Sequence, residues 1–225
     1  MPLLILQAYW VRFNIVKLPE AQGKRCGYVG DDGDKAKSIN LLIIGDSATA
    51  GVGVDEQKDA LSGRLSTKLS ANNNVHWKLV AQAGLTSEEL IKEINELQPQ
   101  QFDYVVVSVG VNDVTHLTSD KNWIKNLHTI FDLLTTKFGH PQILMTALPP
   151  MHLFTKIPQP LRAWLGKRAK KLNTVMKVVT AENSHCSLLT IDSPFTSKYL
   201  AKDGFHPSKL AYNIWAEQAA KELSL

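Results

Sequence analysis

Leu41-Leu42-Ile43-Ile44-Gly45-Asp46-Ser47-Ala48-Thr49-Ala50-Gly51 decides how the rest of this sequence is read. Four consecutive apolar residues run directly into Gly-Asp-Ser, and a helix-compatible segment follows from Asp55 to Asn72. The serine is therefore expected at a strand-to-helix turn, above the carboxyl edge of a sheet and beside the N–H groups that open a helix. A hydroxyl held there can attack a carbonyl while unpaired backbone donors stabilise the oxyanion. A Gly-rich turn can also be only a tight turn or a phosphate-binding loop. A P-loop is excluded because Val52, not lysine, follows Gly51, and no Gly-x-Gly-x-x-Gly follows the strand. The nucleophile reading needs partners elsewhere in the chain.

Downstream, Val75 to Ala81 reads as a second strand ending at Gln82-Ala83-Gly84, and Thr86 with Glu89 forms a capping box that opens a helix to about Leu97. Asp103 to Val109 is the β-branched run of a strand buried on both faces, and it stops at Gly110-Val111-Asn112-Asp113. Trp123 to Phe138 has a helical period, with Ile124, Leu127, Phe131 and Leu134 on one stripe. Gln142 to Ala147 supplies a fourth strand, followed by a proline-broken apolar loop, Leu148 to Phe154, and a basic helix from about Pro160 to Glu182. Cys186 to Ile191 is the fifth strand, and Asp203-Gly204-Phe205-His206-Pro207 leads into a closing helix, Ser208 to Leu223. Strands alternating with helices imply a parallel sheet covered on both faces, whose ligands bind beyond the carboxyl ends of the strands. Ser47, Gly84, Asn112 and the Asp203/His206 pair all fall at that edge.

These four blocks resemble the SGNH, or GDSL-like, hydrolase superfamily: Gly45-Asp46-Ser47 with Gly51, then Gly84, then Gly110-Val111-Asn112-Asp113, then Asp203-x-x-His206. The resemblance covers the chain from about Ile39 to the C-terminus and departs from the pattern at Ala48, where leucine is expected. It implies a three-layer α/β/α sandwich with a central five-stranded parallel sheet, flavodoxin-like in order, and hydrolysis of esters or thioesters. It also implies oxyanion donors at the backbone N–H of Ser47, the backbone N–H of Gly84 and the side-chain amide of Asn112. The residues agree on their own terms. A serine needs a base within hydrogen-bond reach, and His206 follows the carboxylate Asp203 by three residues in a short turn. Asp203 can hold its Nδ1–H and leave Nε2 for Ser47. His76, His128, His140 and His185 lie in or beside predicted elements as surface or packing residues, whereas His116 and His152 occupy loops on the candidate edge. Asp46 and Asp113 are read as caps of the turns they begin.

With 225 residues and 44% apolar content, the chain can fill one core but not comfortably two. A net charge of +4 describes an ordinary protein, and nothing resembles a nucleic-acid module. The one dense basic cluster, Arg162, Lys167, Arg168, Lys170 and Lys171, reads as a solvated helix face, with an anionic surface or substrate as the alternative. Cys26 and Cys186 do not suggest a disulfide framework, no His/Cys spacing suggests a metal site, and no cofactor is expected.

Upstream, residues 2 to 16 are mostly apolar but interrupted by Gln7, Arg12 and Asn14, and the run is shorter than the roughly 20 residues needed to span a bilayer. No basic leader or small-x-small cleavage site marks a secretory signal, so a cytoplasmic or peripherally membrane-associated protein is expected rather than a secreted one. Leu3, Leu6, Trp10 and Phe13 recur at helical spacing. They form either a helix packed on the domain or an interfacial anchor with its aromatic face in lipid. Pro19 to Ser38 turns to Gly, Asp and Lys and reads as a connector, dividing the chain into residues 1–38 and a hydrolase domain, 39–225.

Three functions follow as expectations. The first is a serine hydrolase cleaving short- to medium-chain acyl esters or thioesters, lysophospholipids among them. The others are a carbohydrate O-deacetylase of the same fold, and a catalytically silent flavodoxin-like binding domain. The apolar residues Met151, Leu153 and Phe154 favour an acyl pocket over a sugar site. The substrate itself and the oligomeric state are not readable from these residues.

Overall fold

The computed structural model describes residues 2–30 and 37–223; Met1, the middle of the connector at 31–36, and residues 224–225 lie outside it. Strand β2, Lys37–Gly45, carries the quoted apolar run, and its alternation explains the layers. Leu42 and Ile44 point to one face, while Leu41 and Ile43 point to the other, all four fully buried. Each side chain so buried contributes about 1.5–3 kcal/mol. A strand with no polar face needs helices on both sides of its sheet.

Those helices are present. Helices α3 (Ser87–Glu96), α5 (Asp120–Lys137) and α6 (Leu161–Ala181) cover the face that buries Leu42, Val105 and Ile143. Helices α2 (Leu61–Leu69) and α7 (Lys209–Leu223) cover the face that buries Leu41, Val106 and Leu144. The capping box at α3 forms as the sequence predicts, with Thr86 and Glu89 each accepting from the other's backbone N–H. On α5 the buried stripe includes Trp123, Leu127, Phe131 and Leu134, and Ile124, expected on it, is exposed. Trp123 precedes it by one residue and takes the core position, donating its ring N–H to the Leu172 carbonyl at 3.1 Å.

The sheet has the order β1-β3-β2-β4-β5-β6, with β3 Asn73–Ala81, β4 Tyr104–Ser108, β5 Gln142–Thr146 and β6 Cys186–Leu189. Five strands are parallel, in the expected flavodoxin-like order. The sixth corrects the five-stranded expectation: β1, Cys26–Val29, pairs antiparallel with β3 at the sheet edge. Its four residues, Cys-Gly-Tyr-Val, alternate exposed and half-buried, and so short a run with a glycine in it does not announce a strand. Helix α1, Pro2–Asn14, lies outside the sheet and contacts α6.

Register places the functional edge. Gly45 is paired with Ala81 of β3 on one side and Ser108 of β4 on the other, so three strands end level and their following loops emerge side by side. A Cβ at Gly45 would sit 2.0 Å from the Ser108 carbonyl oxygen, which makes glycine obligatory where the Asp46-Ser47 turn leaves the sheet.

Candidate active site

The turn after β2 presents Ser47, and the loop before α7 reaches over to meet it. His206 Nε2 lies 2.9 Å from Ser47 Oγ, and His206 Nδ1 lies 2.5 Å from Asp203 Oδ2. Asp203 is buried, and its other oxygen accepts from the backbone N–H groups of Phe205 (2.9 Å) and His206 (3.1 Å). Burial alone would raise this carboxyl, but the His206 ring and the two N–H donors outweigh it and hold Asp203 below its ordinary value. An ionised Asp203 fixes the proton on Nδ1, which leaves Nε2 free to accept from the serine hydroxyl.

Gly84 follows β3 with φ +93°, a conformation that side chains rarely adopt, and its missing Cβ leaves open space. Among the described residues, neither the Ser47 N–H nor the Gly84 N–H has a hydrogen-bond partner. Asn112 sits in a short helix, α4 (Val111–Thr115), directly after β4, and its Nδ2 donates to the Leu85 carbonyl at 2.8 Å. That contact uses one amide hydrogen and fixes the amide beside the Gly84 loop, leaving the second hydrogen available.

Two carboxylates brace these loops. Fully buried Asp113 accepts from the Ser87 N–H (2.9 Å), the Ser87 hydroxyl (2.6 Å) and the Thr118 hydroxyl (3.0 Å), tying α4 to the start of α3. Asn126 completes the network by donating to Ser87 Oγ at 2.8 Å. Asp46 accepts the Ala48 N–H at 3.2 Å, and burial raises its carboxyl from 3.8 to about 7. Asp46 thus takes the local capping role read from the sequence, whereas Asp113 caps the start of α3 rather than the turn it begins. Ser87 and Asn126 escaped that reading, because their partner lies 26 residues from the one and hydrogen-bonds the other only through it.

The arrangement has known counterparts. A family model of the GDSL-like lipase/acylhydrolase family matches residues 43–214, a span that includes Ser47, Gly84, Asn112, Asp203 and His206. The chain belongs to this family. A GDSL-like esterase from Mycobacterium tuberculosis is 24% identical over 189 residues, which are 80% of this chain and 60% of that protein. The chain therefore spans under two thirds of the length of the curated relative it matches. A lipase/acylhydrolase from Enterococcus faecalis superposes with a TM-score of 0.62 at 21% identity, covering 82% of this chain and 95% of that one. An acetyl xylan esterase from Geobacillus stearothermophilus gives 0.58 at 16% identity, covering 84% and 96%. At these identities the two structures share the fold.

In this GDSL-like chain, a cavity of about 1090 Å³ opens over Ser47, with His206, Gly84 and Asn112 in its lining. Of the residues expected to wall an acyl pocket, Met151 and Phe154 line it and are also buried in the core beneath. Leu153 does not line it. It ends a single 3₁₀ turn, Met151–Leu153, that aims its side chain outward, where it is exposed. Trp164 lines the cavity, as does His116, whereas His152 packs its backbone against Gly166 instead. The wall that sequence reading missed is α1 with the residue after it: Leu4, Ala8, Val11 and, just beyond the helix, Ile15 face the cavity. Their spacing is a second helical stripe on the same segment, and that signal was available.

Lys167, Lys170 and Lys171 lie on the solvated side of α6, Arg168 stacks over Trp164 at 5.7 Å, and Lys171 pairs with Asp120. Cys186 is half-buried, and burial pushes its thiol up to about 12. Among the described residues, no group of three or more His, Cys, Asp or Glu side chains is placed to hold a metal ion.

Proposed function

We propose that this chain is a serine hydrolase of carboxylic esters acting through an acyl-enzyme on Ser47. One observation carries the reading: Ser47 Oγ lies 2.9 Å from His206 Nε2, whose other ring nitrogen is held by buried Asp203. His206 takes the hydroxyl proton as Oγ bonds to the substrate carbonyl carbon, and the charge moves to the carbonyl oxygen. The N–H groups of Ser47 and Gly84 and the second amide hydrogen of Asn112 stabilise that oxyanion. Collapse breaks the carbon–oxygen or carbon–sulfur bond, and the imidazolium protonates the departing alcohol or thiol. Water then attacks the acyl carbon with His206 again as base, releasing the acid and restoring the serine.

The cavity favours acyl chains of short to medium length, including those of lysophospholipids, because its walls are Leu4, Val11, Met151, Phe154, Ile157 and Leu161. Its volume is slightly above the roughly 300–1,000 Å³ usual for pockets that take drug-sized ligands, which leaves room for a single acyl chain. The rival reading, removal of acetyl groups from carbohydrate, rests on the fold shared with the acetyl xylan esterase. A sugar would need more polar groups than these largely apolar walls offer. A panel of aryl esters from acetyl to dodecanoyl, run beside an acetylated xylan, separates the two. Rising kcat/KM up to a limiting chain length supports the acyl reading; acetyl release from xylan with no gain from longer chains overturns it.

A further inference from the structure

Helix α1 is apolar nearly all round, and the protein covers only one side of it. Its inner stripe, Leu4 and Val11, packs against the core, and Gln7 fixes the helix by donating to the Gln159 carbonyl (2.6 Å) and accepting the Leu161 N–H (3.0 Å). Its outer stripe is Leu3, Leu6, Tyr9, Trp10 and Phe13, all exposed, Trp10 at 54% and Phe13 at 79%. A helix apolar on every side is normally enclosed on every side, so the outer stripe lacks its partner. Ile5, Val16 and Leu117 are exposed and also line the cavity, so the apolar outer face runs without interruption into the mouth above Ser47.

We propose that the outer face of α1 seats this protein on an anionic phospholipid surface, from which acyl substrate passes directly into the cavity. Three features select that occupant. Trp and Tyr beside aliphatic residues are the side chains that settle at the boundary between headgroups and acyl chains. Residues 2–19 contain Arg12 and Lys17 but no carboxylate, and α6, on which α1 packs, carries Arg162, Lys167, Arg168, Lys170, Lys171 and Lys177 and no acid, with Lys171 paired to Asp120 of α5. Cations flanking an apolar face gain from lipid phosphate. A second copy of the chain fits worse, because a symmetric contact through this face would set Arg12 and Lys17 against their own counterparts. No helix among the described residues is long and apolar enough to cross a membrane.

The esterase reading explains why the surface matters, but surface binding itself is independent of Ser47. The test is sedimentation of the full chain with vesicles of phosphatidylcholine alone and of phosphatidylcholine with about one third phosphatidylglycerol. The protein should sediment with the anionic vesicles and much less with the neutral ones. Trp10→Ser with Phe13→Ser should weaken that binding by at least about tenfold, the scale expected when two large apolar side chains no longer enter lipid. Lys167→Glu with Lys170→Glu should weaken it further as charge attraction is lost. Both double variants should hydrolyse a soluble acetyl ester normally, because none of the four side chains lines the cavity. Ser47→Ala should bind vesicles like the parent, whereas a parent protein that binds lipid but cleaves no ester would sink the catalytic reading and leave this one standing. Wild-type protein that stays in the supernatant, binding unaffected by the Trp10/Phe13 pair, or a dimer that those two changes dissociate would each overturn the proposal.

Discussion

The hydroxyl of Tyr212 donates to the Ala48 carbonyl at 2.7 Å and lies 2.8 Å from that of Val52, so the closing helix grips the turn that carries Ser47. Burial lifts this phenol well above its ordinary value, so it stays a neutral donor. Tyr212→Phe keeps the ring and its stacking on Trp215 but takes the hydroxyl from the buried Val52 carbonyl and leaves the Ala48 carbonyl with only the Gly51 N–H. A loss of about 1–3 kcal/mol is expected, read as a lower melting temperature. kcat should fall while KM holds, because the hydroxyl positions Ser47 without touching substrate. Unchanged melting and unchanged kcat would remove Tyr212 from this role.

Asn112→Ala should lower kcat by about 10² to 10³ with little change in KM, the usual loss for one oxyanion donor. On the proposed mechanism, the amide that Leu85 orients meets charge that develops only in the transition state. A raised KM with kcat intact would make Asn112 a substrate-positioning group instead.

The pH dependence of stability separates two carboxylates. Asp46 has a folded value near 7 against 3.8 unfolded, so the folded state holds a proton that the unfolded state gives up. Its contribution is complete below 3.8 and is lost as pH rises from 3.8 to about 7. Asp203 is lowered, so its contribution is present above 3.8 and disappears as pH falls through its folded value below that. In denaturant titrations from pH 4 to 8, Asp46→Asn should therefore gain stability relative to the parent as pH rises, with the difference levelling off above about pH 7. A difference that is flat with pH would mean that Asp46 does not hold its proton.

Phe154 walls the cavity and meets Phe205 edge-on, with ring centroids 5.6 Å apart. Each acyl methylene buried against such a wall contributes about 0.8 kcal/mol, so Phe154→Ala should shift or flatten the chain-length optimum while acetyl ester hydrolysis holds nearly steady. The same change empties part of the core and should cost about 3–5 kcal/mol of stability, so rates are compared well below melting. Equal losses for acetyl and longer esters would deny the acyl role.

The sheet was legible because Leu41–Ile44 and Val105–Val107 have no polar face, and short apolar runs of that kind alternating with helical segments fit a doubly covered parallel sheet. The edge positions followed, since Ser47, Gly84, Asn112 and His206 each come just after a predicted strand or in a short turn. What could not be read depends on contacts between distant segments. Tyr212 looks like any core aromatic until its hydroxyl is found against Ala48, and Ser87 looks like a plain helix start until Asp113 closes on it. Strand β1 was hidden by its half-exposed residues, and Leu153 was misplaced because one 3₁₀ turn reverses which side chains face inward.

The central claim is that Ser47 is the nucleophile and His206 its base, and covalent labelling tests it most directly. Incubation with an alkyl fluorophosphonate followed by peptide mass spectrometry should place a single adduct on Ser47. Ser47→Ala should give none, and His206→Ala should label far more slowly. An adduct on a different serine, or full ester hydrolysis by the Ser47→Ala protein, would contradict the account.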